Sequence, residues 1–138
     1  MARAVLDASA LIALVLKEKG ADVVAKIVSA GAVVSATNMA ETLTICRRKG
    51  HRQPSPELLS DLTNLGLDIE PVTEEDSLEI AHLLRLSDER RAREPEVGSL
   101  SLADATCLAL GRRLGLPVVM SDGTWEVLEA GISVLPFR

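Results

Sequence analysis

The sequence predicts an α/β domain built on a mainly parallel central sheet of four to five strands. Short, continuously apolar runs alternate with helical patterns from one end of the chain to the other. Those runs lack the polar–apolar alternation of strands that face water on one side, so helices are expected on both faces of the sheet. At 138 residues, without repeats, low-complexity tracts or linkers, the chain reads as a single domain, residues 1–138, able to close one core without metal or disulfide staples.

Five strands are expected: Ala4 to Leu6, Ala32 to Ser35, Asp68 to Val72, Pro117 to Ser121 and Ile132 to Leu135. After the second, the run ATNMAETL places Asn38 as N-cap and Glu41 in the first helical turn. Ser55 and Pro56 open a helix carrying Leu58, Leu59, Leu62 and Leu65, which Gly66 closes. Thr73, with Asp76 three residues on, opens another that buries Leu78, Ala81 and Leu84 or Leu86. The charged stretch from Ser87 to Gly98 has no apolar period and is expected as a loop or a fraying helix end. Ser101 and Asp104 form a capping box, and Ala103, Cys107, Leu110 and Leu114 then recur at spacings of four, three and four, one stripe of a helix ending at Gly115. Trp125, near Val127, Leu128 and Ile132, is expected to pack.

Composition sets limits on function. The two cysteines, Cys46 and Cys107, sit among apolar residues far apart in sequence and are expected as reduced core thiols. The N-terminal run MARAVLDASALIALVLKEKG has a basic start and an apolar middle, but Asp7 interrupts it and no small-residue cleavage site follows. It also falls short of the ~20 apolar residues that span a bilayer, and a cytoplasmic protein without membrane contact is expected. The net charge of −5 has the wrong sign for binding nucleic acid by global electrostatics. Local clusters remain: Arg47, Arg48, Lys49 and Arg52; Arg90, Arg91 and Arg93; Arg112 and Arg113. Trp125 and Phe137 are the only aromatic residues, which excludes a base-stacking platform. His51 and His82 lack metal-ligand spacing.

In open α/β sheets ligands bind beyond the carboxyl ends of the strands, and acids collect there. Asp7 follows the first strand and Asp122 the fourth; Glu41 and Asp104 lie at helix starts beside them. Singly, each has a structural explanation as a cap or turn former, the Asp122-Gly123 dipeptide especially. Together they suit Mg2+ or Mn2+, hard cations that take oxygen ligands. Four carboxylates gathered without a cation would be costly, since like charges ~4 Å apart repel by roughly 4 kcal/mol at an effective dielectric of 20.

These residues resemble the PIN-domain nucleases, and within them the VapC toxins of bacterial and archaeal toxin–antitoxin pairs. VLDASALIAL is similar to the first motif, with Asp7, Ser9 and an apolar helix; TNMAE to the second, with Asn38 and Glu41. LSLADATCLALGRRLGLPVV is similar to the third, with Asp104, and SDGTW to the last, with Asp122. The resemblance implies a three-layer α/β/α domain, usually a homodimer, that cuts RNA with Mg2+ or Mn2+ and is silenced by an antitoxin tail. By resemblance Asp7, Asp104 and Asp122 are the metal ligands, and Glu41 is a further ligand or a water-orienting base. Ser9 and Asn38 support the carboxylates by hydrogen bonding. The family often carries Thr or Ser two positions before the last aspartate; here Met120 holds that place and Ser121 follows, so Ser121 takes the supporting role. Glu126 is a candidate fifth acid.

Two other enzyme classes are weighed and set aside. Haloacid-dehalogenase-like phosphatases want a second aspartate where Ser9 stands, and receiver domains want an acidic pair and a late lysine that are missing. A catalytically silent RNA-binding or interaction module stays open, though the presence of all four acids argues against it.

Overall fold

The computed structural model describes residues 1–121 and 132–138. Five strands, β1 (Ala4–Leu6), β2 (Ala32–Ser35), β3 (Leu67–Glu70), β4 (Val118–Met120) and β5 (Val134–Pro136), pair in parallel throughout, in the order β3-β2-β1-β4-β5. Among the described residues the helices are α1 (Ala8–Leu16), α2 (Ala21–Ala30), α3 (Ala36–Arg48), α4 (Ser55–Asn64), α5 (Glu74–Arg93) and α6 (Leu102–Leu114).

Side-chain alternation along the strands divides the core in two. Ala4, Leu6, Ala32, Val34 and Val119 pack with α1 to α4 through Leu11, Val24, Val28, Met39 and Leu62. Val5, Val33, Val118, Met120 and Val134 pack on the other face with Ile80 and Leu83 of α5 and Leu108 and Leu110 of α6. The result is the expected three-layer α/β/α arrangement. Both cysteines are free and buried, as expected.

Two local expectations change and one open choice is settled. The buried stripe of α5 is Asp76, Ile80, Leu83 and Ser87, while Leu78 is 76% exposed and Ala81 is also on the solvent side. Of the two expectations for Ser87 to Gly98, the helix end is the one found: the helix continues to Arg93. Its apolar period breaks because Ser87 occupies a core position, its hydroxyl accepting the Leu100 N–H at 3.0 Å. Ion pairs at i,i+4 spacing, Arg85–Glu89 and Arg90–Glu94, together with arginines in the last turn, favour the extension. Lastly, Ser35 rather than Asn38 caps α3, so Asn38 is the third helical residue and Glu41 lies in the second turn.

The capping boxes at Thr73/Asp76 and Ser101/Asp104 form as expected, and Gly115 closes α6 at φ +66. The expected α4 has Pro54 at its cap and buries Leu58 and Leu62, leaving Leu65 half exposed. No described helix is long and apolar enough to cross a membrane.

Candidate active site

The chain starts at β1 in mid-sheet, adds β2 and β3 on one side and β4 and β5 on the other. The reversal leaves a crevice between the carboxyl ends of β1 and β4, where such sheets receive ligands. A cleft of about 410 Å³ lies there, lined by Asp7, Ser9, Glu41, Asp104 and Ser121 with Ile12, Ile45, Met120, Gly98 and Ser99. Asp7, Glu41 and Asp104 are thus brought together from three different segments. Asp122, Trp125 and Glu126 lie outside the described residues.

Asp7 and Asp104 keep their capping roles while facing the cleft. Asp7 leaves β1 as the N-cap of α1, accepting the Ala10 N–H at 2.9 Å. The Ser9 hydroxyl lies 2.7 and 2.8 Å from its two oxygens, and the same hydroxyl accepts the Ser121 N–H at 3.3 Å. Ser9 therefore couples the first carboxylate to the chain leaving β4. Ser121 touches this network through its main-chain N–H. Asp104 is the third residue of α6: its N–H donates to the Ser101 hydroxyl at 3.0 Å, and its carboxylate accepts the Ser101 N–H at 3.4 Å. Glu41 projects from α3 one turn before Ile45.

Asn38 holds these helices in register. Its backbone N–H donates to the Ser35 hydroxyl at 3.0 Å, its amide oxygen accepts that hydroxyl's proton, and its amide nitrogen donates to the Ala103 carbonyl at 3.1 Å. Neither His51 nor His82 lines the cleft. The apolar walls Ile12 and Ile45, and the Gly98-Ser99 corner, were missed in the sequence. Ile12 and Ile45 read as ordinary core positions, and only their spacing from Asp7 and Glu41 could have pointed to them.

The carboxylates sense one another. Burial lifts Asp7 from the usual 3.8 to about 6; the Ser9 and Ala10 hydrogen bonds oppose the rise, and the charges of Asp104 and Glu41 add to it. Glu41 is raised as well, by burial and then by Asp104. The Cys107 thiol is held far above its normal range by burial, with Asp7, Asp104 and Glu41 contributing, and is neutral. Among the described residues no group of three or more acidic, histidine or cysteine side chains is placed to hold a metal ion by itself. The donor set still fits Mg2+ or Mn2+, which are held by one or two carboxylates with waters rather than by an all-protein cage.

The sequence profile of the PIN domain matches residues 4–130. The chain belongs to the PIN domain family. This PIN domain superposes on a toxin–antitoxin complex from Klebsiella pneumoniae with a TM-score of 0.70 at 15% identity, covering 98% of each chain. It is similar to a DNA-bound VapBC from Salmonella typhimurium, with a TM-score of 0.71 at 12% identity over 100% of both chains. A Mycobacterium tuberculosis VapC toxin described as cleaving the sarcin-ricin loop matches with a TM-score of 0.63 at 18% identity, over 91% of this chain and 95% of that one. No curated protein sequence matches.

Proposed function

We propose that this PIN domain is a metal-dependent endoribonuclease, the toxin of a toxin–antitoxin pair, acting in the cytoplasm as a homodimer. One observation carries the reading: Asp7, Glu41 and Asp104, distant in sequence, line one cleft at the reversal point of the sheet, and burial with mutual repulsion keeps Asp7 at about 6. Carboxylates under such repulsion are poised to take up a cation. Asp7, Asp104 and Asp122 are the proposed ligands of Mg2+ or Mn2+, with Glu41 ligand or base. Bound there, the ion would lower the pKa of a water and offset the charge that develops on the phosphoryl oxygens.

The chain's own groups do the rest. Ser9 orients Asp7, and Asn38 sets Glu41 against Asp104. Glu41, its affinity for protons raised, accepts a proton from the attacking water. That water adds to phosphorus, the ester P–O bond breaks, and the departing oxygen takes a proton, the one Glu41 accepted or one from solvent, which returns Glu41 to its starting state. The fold neighbours described as toxin–antitoxin complexes support an antitoxin partner.

The test uses purified protein and a structured RNA. Cleavage should need Mg2+ or Mn2+, stop with EDTA, and vanish in Asp7→Asn, Asp104→Asn and Asp122→Asn while the folded state persists by circular dichroism. Undiminished cutting by these variants would refute the assignment. Metal-bound but inert protein would favour a silent RNA-binding module.

A further inference from the structure

The net charge of −5 repels a polyanion, and so do the acids of the cleft. RNA therefore needs a local basic surface continuous with the cleft, and the structure sorts the three basic clusters. Arg112 and Arg113 are engaged by Glu79, Asp76 and Glu70. Arg90 pairs with Glu94, and no residue of α5 lines the cleft. At the end of α3, Lys49 pairs with Glu18, but the exposed side chains of Arg47, Arg48 and Arg52 have no ion pair or hydrogen bond among the described residues.

Helix geometry connects this group to the site. Glu41 and Ile45 line the cleft from α3, and Arg48 continues the same face, three residues past Ile45 and seven, nearly two full turns, past Glu41. At about 1.5 Å per residue, Arg48 lies roughly 10 Å along the helix from Glu41. A stacked strand carrying a charge about every 3.4 Å covers that span in about three phosphates. The His51 N–H donates to the Cys46 carbonyl at 2.9 Å, turning the chain back on the helix end immediately before Arg52.

We infer that Arg48, with Arg52, forms a track for the phosphodiester backbone of single-stranded RNA leaving the cleft along α3. The inference rests on the proposed nuclease function and specifies how its substrate is held. An acidic peptide could satisfy the arginines alone. A phosphodiester chain also suits the cleft at the other end, where a cation would hold the reacting phosphate.

Binding of a labelled single-stranded RNA about a dozen nucleotides long would be measured in Mg2+, across a salt series, with an Asp104→Asn chain. Adding Arg48→Gln and Arg52→Gln should weaken binding and flatten the log–log salt dependence by about 0.7 for each phosphate no longer neutralised. Arg3→Gln, at the opposite end of β1, should leave both unchanged. In the chain with Asp104 intact, the two substitutions should lower kcat/KM on long RNA but spare a trinucleotide. An unchanged salt slope, an equal loss in Arg3→Gln, or tighter capture of oligoglutamate than of RNA by the same arginines would overturn the track. RNA bound by neither the Asp104→Asn nor the unaltered chain would overturn the nuclease reading along with it.

Discussion

The side-chain amide of Asn38 donates to the main-chain carbonyl of Ala103 at 3.1 Å, from a position that is 1% exposed. This bond joins α3 to α6 one residue before Asp104, and Glu41 stands three residues after Asn38. A single amide thus fixes the spacing between two helices that each carry a cleft acid. Polar groups in such closed positions are kept for the geometry they impose as much as for stability.

Asn38→Ala removes the donor to Ala103 and the acceptor of the Ser35 hydroxyl. Urea unfolding should show a loss of about 1–3 kcal/mol, the usual cost of stranding buried polar partners. Cleavage of RNA at a temperature where both proteins are fully folded should fall further than that loss explains. Asn38→Asp keeps an acceptor for Ser35 but not the donor, and should share the catalytic defect. Full activity in either variant would show that the amide does not position the acids.

Gly111 lets α6 approach β4. A Cβ there would collide with Val118 Cγ2 and come within 3.2 Å of the Leu116 carbonyl oxygen. Alanine gains about 1 kcal/mol of helix propensity over glycine, but overpacking against a stiff β-branched strand residue costs roughly 1–3 kcal/mol. Gly111→Ala should therefore lower the Tm. A raised Tm would mean that the helix shifts without penalty.

Much of the sheet was legible because its strands are buried on both faces and so stand out as continuous apolar runs. Asp7 and Asp104 were legible for a different reason: a strand end and a capping box announce them locally. Over Ser87 to Gly98 the choice between a loop and a helix end stayed open because helical periodicity counts apolar residues, and Ser87 fills a core position with a hydroxyl whose partner, Leu100, is 13 residues away. The cap of α3 was misplaced by one turn because Ser35 ends an apolar strand and reads as part of it. Asn38 looked like a cap since its type suits one, whereas its amide nitrogen bonds the Ala103 carbonyl, 65 residues distant. Pairings of that range leave no trace in local pattern.

The same holds for Arg113, which the sequence offered as part of a basic cluster. Its guanidinium donates to both oxygens of Asp76, at 2.9 and 3.2 Å, and to the Pro71 carbonyl at 3.2 Å. Burial pushes the Asp76 carboxyl up, but the bonds from Arg113 and Thr73 outweigh it and hold the group below its usual 3.8. A depressed folded-state pKa gives stability that is present above 3.8 and lost as pH falls below it. Arg113→Met strands a buried carboxylate, and denaturation at neutral pH should show a loss of roughly 3 kcal/mol, the low end for a broken buried pair. Arg112→Gln, whose side chain is half exposed, should cost far less. Equal losses would rule out the Asp76 pair as the distinguishing interaction.

Asp7 should behave in the opposite way. Its folded carboxyl titrates near 6 against a usual 3.8, so the folded state holds the proton more tightly than the unfolded chain. Stability then falls as pH rises through this window, and by pH 7 the charged, buried group costs about 3 kcal/mol. Asn accepts the Ser9 and Ala10 bonds without the charge. In EDTA, Asp7→Asn should match the unaltered protein near pH 4 and exceed it by up to that amount at pH 7. Millimolar Mg2+ or Mn2+ binds only where carboxylates can hold it, so it should raise the Tm of the unaltered protein at pH 7 and narrow the gap to the variant. A variant that is less stable at pH 7, or equally stabilised by the cation, would show that Asp7 is a structural cap and nothing more.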